Sequence, residues 1–329
     1  MTTAHKPKIL VTREVFDETL EYLRRHCDVQ SNQDDVPFAP DALAAALAGK
    51  DGLMCCLTDR VDANLLARAP ALKAVANIAV GYNNIDVPAC TARGVMATNT
   101  PGVLDDSTAD LAWALMLGTA RRITEVERRI RAGEWTGWRL KQWLGVDVHH
   151  ATLGIVGMGR IGQAIARRAS GFDMKVLYHN RNRIAPELES RANAGYAAFD
   201  DLLAQSDFIV LQVPYSPQTH HLIGAPQLAK MKPTAILINS TRGGVVDDAA
   251  LIAALKNGTI RGAGLDVFEN EPKLHPDFLK LDNVVLAPHV GSSTEATRKA
   301  MAMLAAQNLV AALQGQAPPN LLNPEARRV

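Results

Sequence analysis

"TLGIVGMGRIGQAIARRA", residues 152–169, is the stretch that decides the fold. It opens on a short, mostly apolar run of the kind that forms a strand buried on both faces. Gly157, Gly159 and Gly162 follow in GxGxxG spacing, and then Ile161, Ala164, Ile165 and Ala169 repeat at helical intervals. A strand, a glycine loop and a helix in that order form a nucleotide phosphate site. Gly157 permits the tight turn, Gly159 lets the backbone approach a diphosphate, and Gly162 allows close helix–strand packing. The diphosphate sits over the free N–H groups of the helix start. The spacing alone is a weak signal; its place between strand and helix makes it specific.

The next strand ends in "VLYHNRNR", residues 176–183. In NAD sites a carboxylate at this strand end hydrogen-bonds the ribose hydroxyls. The octet contains no acid; it offers Asn180, Arg181 and Arg183 instead. A 2′-phosphate is repelled by a carboxylate and suits forked guanidinium groups. The octet therefore predicts NADPH, held through Arg181 with Arg183 and Asn180 assisting. NADH is the weaker alternative.

Outward from this point, short apolar runs alternate with helical patterns along most of the chain, the mark of βαβ units and mainly parallel sheets. A first set of strands is expected at 8–12, 51–57, 74–80 and 94–99, with an Ala-rich helix ending at Gly49. A long amphipathic helix over about 106–131 and a Trp-rich loop, "GEWTGWRLKQWLG" (133–145), lead to a second set. That set comprises 152–157, 175–180, 208–213, 235–239, 262–267 and 283–289, and a last helix spans about 293–314. The fold class is α/β: two Rossmann-like or flavodoxin-like parallel-sheet domains, with a cleft between them for a ligand.

Composition narrows the function classes. The 35 basic and 34 acidic side chains nearly cancel, which argues against bulk attraction to nucleic acid or a membrane surface. No run reaches the ~18 apolar residues of a membrane span, and the N-terminus has no apolar signal core. Cys27, Cys55, Cys56 and Cys90 show no CxxC spacing and read as buried free thiols rather than a metal site. A cytoplasmic location is expected.

Three stretches carry residues suited to carbonyl chemistry, each just past a strand. "INSTRGGVVD" (238–247) holds Arg242, "GLDVFENEP" (264–272) holds Asp266 and Glu271, and "APHVGSST" (287–294) holds His289. Strand C-termini are where open α/β sheets bind ligands. Hydride transfer to a 2-oxo acid leaves charge on the carbonyl oxygen, and histidine suits its protonation near neutral pH. Glu271 would favour the imidazolium and fix the ring. Arg242 would hold the substrate carboxylate and polarise the carbonyl. Singly, each has an ordinary structural use: a hydrogen-bonded histidine, a turn cap, a surface ion pair. Their joint occurrence downstream of a phosphate loop favours catalysis.

Together with "VGYNNID" (80–86) and "NTPGVLDDSTADLAWALML" (99–117), these stretches resemble the D-isomer-specific 2-hydroxyacid dehydrogenases over nearly the whole chain. Within that family, "DGLMCCLTDRVD" (51–62), the "WTGW" loop and the non-acidic strand end look most like the glyoxylate/hydroxypyruvate reductases. The resemblance implies a substrate domain of residues 1–102 and 290–329 and an NADP(H)-binding domain of 103–289. It assigns catalysis to Arg242, Glu271 and His289, and the substrate carboxylate to loops at Val80–Gly81 and Leu57–Thr58. Further cofactor contacts are implied at Arg160, Ile161, Ser107 or Thr108, Pro214 and Asp266, the last near the nicotinamide amide. A homodimer is implied through the 106–131 helix and the loop after it, with Trp138 a candidate to reach the partner's substrate. An ordinary interface aromatic is the competing role for Trp138.

The activity implied is reduction of small 2-oxo acids, glyoxylate to glycolate and hydroxypyruvate to D-glycerate. Reduction of 2-ketogluconate is the alternative within enzymology. A nucleotide-sensing, corepressor-like binding protein is the alternative outside it, and turnover separates the two classes.

Overall fold

The computed structural model describes residues 6–327. The chain divides into two compact units, one running through Leu104 and resuming at Thr294, the other Asp105–Ser293.

The first unit carries β1 (Lys8–Val11), β2 (Asp28–Ser31), β3 (Gly52–Cys55), β4 (Ala74–Asn77) and β5 (Met96–Thr98). All pair in parallel, in the order β2-β1-β3-β4-β5. Side chains alternate between two cores. Leu10, Leu53 and Val75 face one; Ile9, Val11, Met54 and Ala76 face the other. The helix Glu295–Leu313 covers the second face, and Gly52 makes room for it. A Cβ there would stand 2.9 Å from Leu313 and 3.0 Å from Leu309.

The second unit carries β6 (Thr152–Val156), β7 (Lys175–His179), β8 (Ala194–Tyr196), β9 (Phe208–Leu211), β10 (Ile236–Asn239), β11 (Gly262–Leu265) and β12 (Val284–Leu286). Their order is β12-β11-β10-β9-β6-β7-β8, again all parallel. Six of these strands reproduce the doubly wound order of a dinucleotide-binding fold, with the reversal point between β6 and β9. Ile155, Val210 and Ile238 face one core while Val156, Leu211 and Leu237 face the other.

Three expectations need correction. β2 and β8 were absent from the expected strands; both are edge strands with mostly uncovered side chains and so lack an apolar run. The helix expected over 106–131 is two, Asp105–Ala120 and Ile123–Arg131. Arg122 between them adopts φ +55°, and its Nε and Nη2 grip the buried Glu125 carboxylate at 2.6 and 2.7 Å. That paired bond offsets a left-handed backbone costing about 1 kcal/mol. The first of the two is not simply amphipathic, because both the sheet and the helix Arg160–Ala169 cover it. Finally, Cys56 is half-buried, whereas Cys27, Cys55 and Cys90 are buried; all four are free thiols. No helix among the described residues is long and apolar enough to cross a membrane.

Candidate active site

Strand register brings the scattered motifs of the second unit to one edge. Leu286, Leu265, Asn239, Leu211, Val156 and His179 form a single row across the sheet. Every motif residue past a strand end lies just beyond that row. At the reversal point Gly157 takes φ +106°, and a Cβ on it would stand 2.3 Å from the Gln212 carbonyl oxygen. A Cβ on Gly162 would stand 2.3 Å from the Gly157 carbonyl oxygen. Gly159, by contrast, faces open space with nothing within 4 Å. The N–H groups of Arg160 and Ile161, in the first turn of the helix, have no acceptor among the described residues. Glycines closed on the protein side and open on the other, over free N–H donors, fit a diphosphate.

The acid–base set assembles through close backbone crossings. A Cβ on Gly243 would lie 1.7 Å from the Phe268 carbonyl oxygen, so the turn after β10 and the turn after β11 touch main chain to main chain. This puts Arg242 near enough to Glu271 for their charges to interact. Arg242 donates from Nη1 to the Thr241 carbonyl at 2.7 Å, and burial pulls its guanidinium below the usual arginine range against the opposing charge of Glu271. Glu271 Oε2 lies 2.8 Å from His289 Nδ1, while Oε1 accepts the Phe268 N–H at 2.9 Å. Burial pushes the Glu271 carboxyl up, but His289, the Phe268 N–H and Arg242 together outweigh it and hold the group below its ordinary value. His289 Nε2 carries no hydrogen bond among the described residues, and the side chain is 24% exposed. The ring is therefore held by one nitrogen and open at the other.

Asp266 is engaged by the loop that carries His289. It is 1% exposed, and its Oδ1 and Oδ2 accept the N–H groups of Val290 and Gly291 at 2.7 and 2.9 Å. Its carbonyl takes the His289 N–H at 2.8 Å. One residue thus fixes three successive amides around His289, whose own φ is +56°. Burial pushes the Asp266 carboxyl up. Ser107 and Thr108 serve the same loop: Ser107 Oγ donates to the Gly291 carbonyl at 3.3 Å, and buried Thr108 packs where a Gly291 side chain would go.

On the ribose side the three octet residues part company. Asn180 Oδ1 accepts the Met158 N–H at 2.7 Å, so its carbonyl shapes the phosphate loop rather than facing a ligand. Arg183 pairs with Glu189, Nε to Oε1 at 2.6 Å and Nη2 to Oε2 at 2.8 Å. Arg181 is exposed and has no ion pair or hydrogen bond among the described residues. Pro214 begins a turn in which its carbonyl accepts from Thr219 Oγ1 at 2.7 Å.

In the first unit, the carbonyls of Val80 and Gly81 are tied back by Asn99 Nδ2 (2.8 Å) and Asn77 Nδ2 (3.0 Å). Their N–H groups have no acceptor among the described residues. Asp59 fixes the neighbouring loop, accepting from Thr12 Oγ1 at 2.6 Å and from the Cys56 N–H at 2.9 Å. Leu57 and Thr58 ride on that loop, and Arg13 Nη1 reaches Thr58 Oγ1 at 3.0 Å. Sequence reasoning passed over Asn77, Asn99 and Asp59. A buried polar residue at or just past a strand end was the available signal. Trp138 is 79% exposed on its loop. Among the described residues no three His, Cys, Asp or Glu side chains converge as a metal site.

A family model described as "D-isomer specific 2-hydroxyacid dehydrogenase, NAD binding domain" matches residues 113–291. The chain belongs to that family. The matched stretch lies wholly within the second unit, Asp105–Ser293. Among curated relatives, the glyoxylate reductase of Thermococcus onnurineus (strain NA1) is 49% identical over 328 residues, covering 98% of each chain. That of Thermococcus litoralis is 50% identical over 324 residues, covering 97% of each. Among solved structures, an NADPH-dependent glyoxylate/hydroxypyruvate reductase from Sinorhizobium meliloti in complex with NADP and malonate superposes with a TM-score of 0.87. It is 34% identical and covers 98% of this chain and 99% of its own.

Proposed function

We propose that this dehydrogenase reduces small 2-oxo acids with NADPH, glyoxylate and hydroxypyruvate first, giving glycolate and D-glycerate. The observation that carries the reading is the His289–Glu271 pair, one ring nitrogen held at 2.8 Å and the other open, with Arg242 alongside. NADPH, when bound, supplies the hydride to the 2-oxo carbon. His289 gives the Nε2 proton to the carbonyl oxygen as charge develops there, and Glu271 stabilises the imidazolium until it does. Arg242 holds the substrate carboxylate and polarises the carbonyl. In the first unit, the free N–H groups of Val80 and Gly81, with the loop at Leu57 and Thr58, suit a carboxylate.

The open guanidinium of Arg181 and the lack of an acid at the end of β7 support NADPH, and with it reduction as the working direction in a cytoplasmic setting. Among the described residues, six of the eleven large exposed apolar side chains lie between Ile123 and Leu144, Trp138 among them. That concentration supports a homodimer through this segment. The relatives' activity and the Sinorhizobium enzyme's NADP complex favour the same reading.

The deciding measurement is kcat/KM for glyoxylate, hydroxypyruvate and 2-ketogluconate, each with NADPH and NADH. Turnover of the two small acids with NADPH bears the proposal out. No oxidation of NADPH with any 2-oxo acid would favour a nucleotide-sensing binding protein, and preference for 2-ketogluconate would move the substrate class. Arg181→Asp should shift the cofactor ratio toward NADH, and an unmoved ratio removes Arg181 from the argument.

A further inference from the structure

The turn after β7 contains an arrangement that the reaction above does not use. Glu189 lies on the helix Pro186–Ala192 and accepts from three groups at once. Its Oε1 takes Arg183 Nε and the Tyr178 hydroxyl, and its Oε2 takes Arg183 Nη2. The Tyr178 oxygen in turn accepts the Ile184 N–H at 3.2 Å. One carboxylate therefore ties together the strand, the turn and the helix that follows.

Exposure shows which partner is the anchor. The Glu189 side chain is 12% exposed and Tyr178 is buried, whereas the Arg183 side chain is 64% exposed. The guanidinium stands outward on a covered carboxylate, with the Tyr196 ring 5.9 Å from its central carbon. Only the Nε–Nη2 edge is used; Nη1 has no hydrogen bond among the described residues. A guanidinium has donors enough to serve a carboxylate on one edge and a phosphate on the other.

We propose that Glu189 is a positioning residue for cofactor choice: it holds Arg183 side-on, so that the free edge at Nη1 is set in advance, with Arg181, for the 2′-phosphate of NADPH. This inference rests on the NADPH reading given above. The bonds from Arg183 and Tyr178 hold the Glu189 carboxyl down to about 2, so the clamp stays ionised throughout the working pH range. The contrary action from the same contacts is masking, in which Glu189 occupies Arg183 and repels a phosphate. The two actions have opposite signs, which makes them separable.

Ordering a long side chain on binding costs roughly three- to tenfold in affinity, so releasing Arg183 should cost NADPH about that much. The experiment measures kcat/KM for NADPH and NADH at fixed, saturating glyoxylate in wild type, Glu189→Ala, Glu189→Gln, Arg183→Ala and the double variant Glu189→Ala/Arg183→Ala. Glu189→Ala should lower the NADPH-to-NADH ratio roughly three- to tenfold through KM for NADPH, with NADH kinetics unmoved. Glu189→Gln, which keeps an acceptor for Nε, should fall between wild type and Glu189→Ala. In the Arg183→Ala background, adding Glu189→Ala should leave the ratio within about twofold, because the effect runs through Arg183. A ratio that rises in Glu189→Ala identifies masking and overturns the proposal. A ratio that stays put, or parallel losses with both cofactors, also overturns it and leaves a structural clamp only. If wild type itself favours NADH, the NADPH reading fails first and this inference fails with it.

Discussion

Replacing Glu271 by Gln tests the acid–base pair most directly. The substitution removes the charge and one of the two acceptor oxygens, so the remaining amide oxygen serves either His289 Nδ1–H or the Phe268 N–H and the NH2 group faces the other. A hydrogen bond to a charged group contributes about 1.5–3 kcal/mol, against roughly 1 kcal/mol for a neutral one. The two side chains are 24% and 30% exposed, so solvent screens part of that difference and about 1 kcal/mol remains. That stabilisation is needed most as the proton leaves for the carbonyl oxygen, so kcat for reduction should fall roughly fivefold or more. KM for the oxo acid should change little, because Arg242 is untouched. The assay is steady-state oxidation of the cofactor by wild type and variant, with buffers of matched ionic strength. A kcat within twofold of wild type, or a loss confined to KM, refutes the pairing as an electrostatic device.

Other substitutions separate holding from reacting. Asp266→Asn leaves one of the Val290 and Gly291 amides facing an NH2 group, at a cost of about 1–3 kcal/mol, and should lower kcat about tenfold or more with KM for the oxo acid little changed; a pure KM effect would contradict its role in holding the His289 loop. Gly243→Ala forces a Cβ against the Phe268 carbonyl and should destabilise by about 3 kcal/mol, a drop of roughly 6–12 °C in Tm by calorimetry, whereas Gly159→Ala should leave Tm unchanged and weaken cofactor binding in a titration. Asp248, 6% exposed, is pushed up to about 6 by burial. Its folded form holds the proton more tightly than the unfolded chain, so its share of stability is present at low pH and lost as pH rises through about 6; Asp248→Asn should match wild type near pH 4 and exceed it by about 2–3 kcal/mol at pH 7 in denaturant unfolding.

The apolar strands and the phosphate loop were legible because their signals are local. Thr152–Val156, the three glycines and the helix after them need only a window of eighteen residues to be read. Arg242, Glu271 and His289 could be named from chemistry and position past a strand, and the structure does bring Glu271 to His289 and the charge of Arg242 beside it. What could not be read was what each polar group spends its hydrogen bonds on. The family resemblance implied Asp266 as a cofactor contact; its protein partners, Val290 and Gly291, are more than twenty residues downstream and on another strand's loop, so no local window shows them. Asn180 and Arg183 were read from the strand end that the glycine fingerprint dictates, and that window does not show their protein partners, Met158 and Glu189, which come from different elements. The break at Arg122 was hidden because nothing in "TARRITEVE" departs from helical composition; what accompanies it is a local bond to Glu125, three residues on, whose burial no composition shows.

Carboxylates in the second unit that follow strands are sorted by what surrounds them. Asp266 is covered and meets two main-chain N–H groups, so it fixes a loop. Glu271 is three-tenths exposed and meets one N–H and one imidazole, so it can exchange charge with a group that itself reaches outward. Burial opposes ionisation in both. At Asp266 it prevails and the carboxyl is pushed up; at Glu271 the imidazole, the N–H and the guanidinium prevail and it is held down. The residue kept ionised is the one beside the proton donor, and the one pushed up is the one whose hydrogen bonds fix the backbone. A site arranged the other way round, with the buried carboxylate against the imidazole, would hold the ring but surrender the charge that faces it. The division of labour between these two acids therefore follows from their cover and partners.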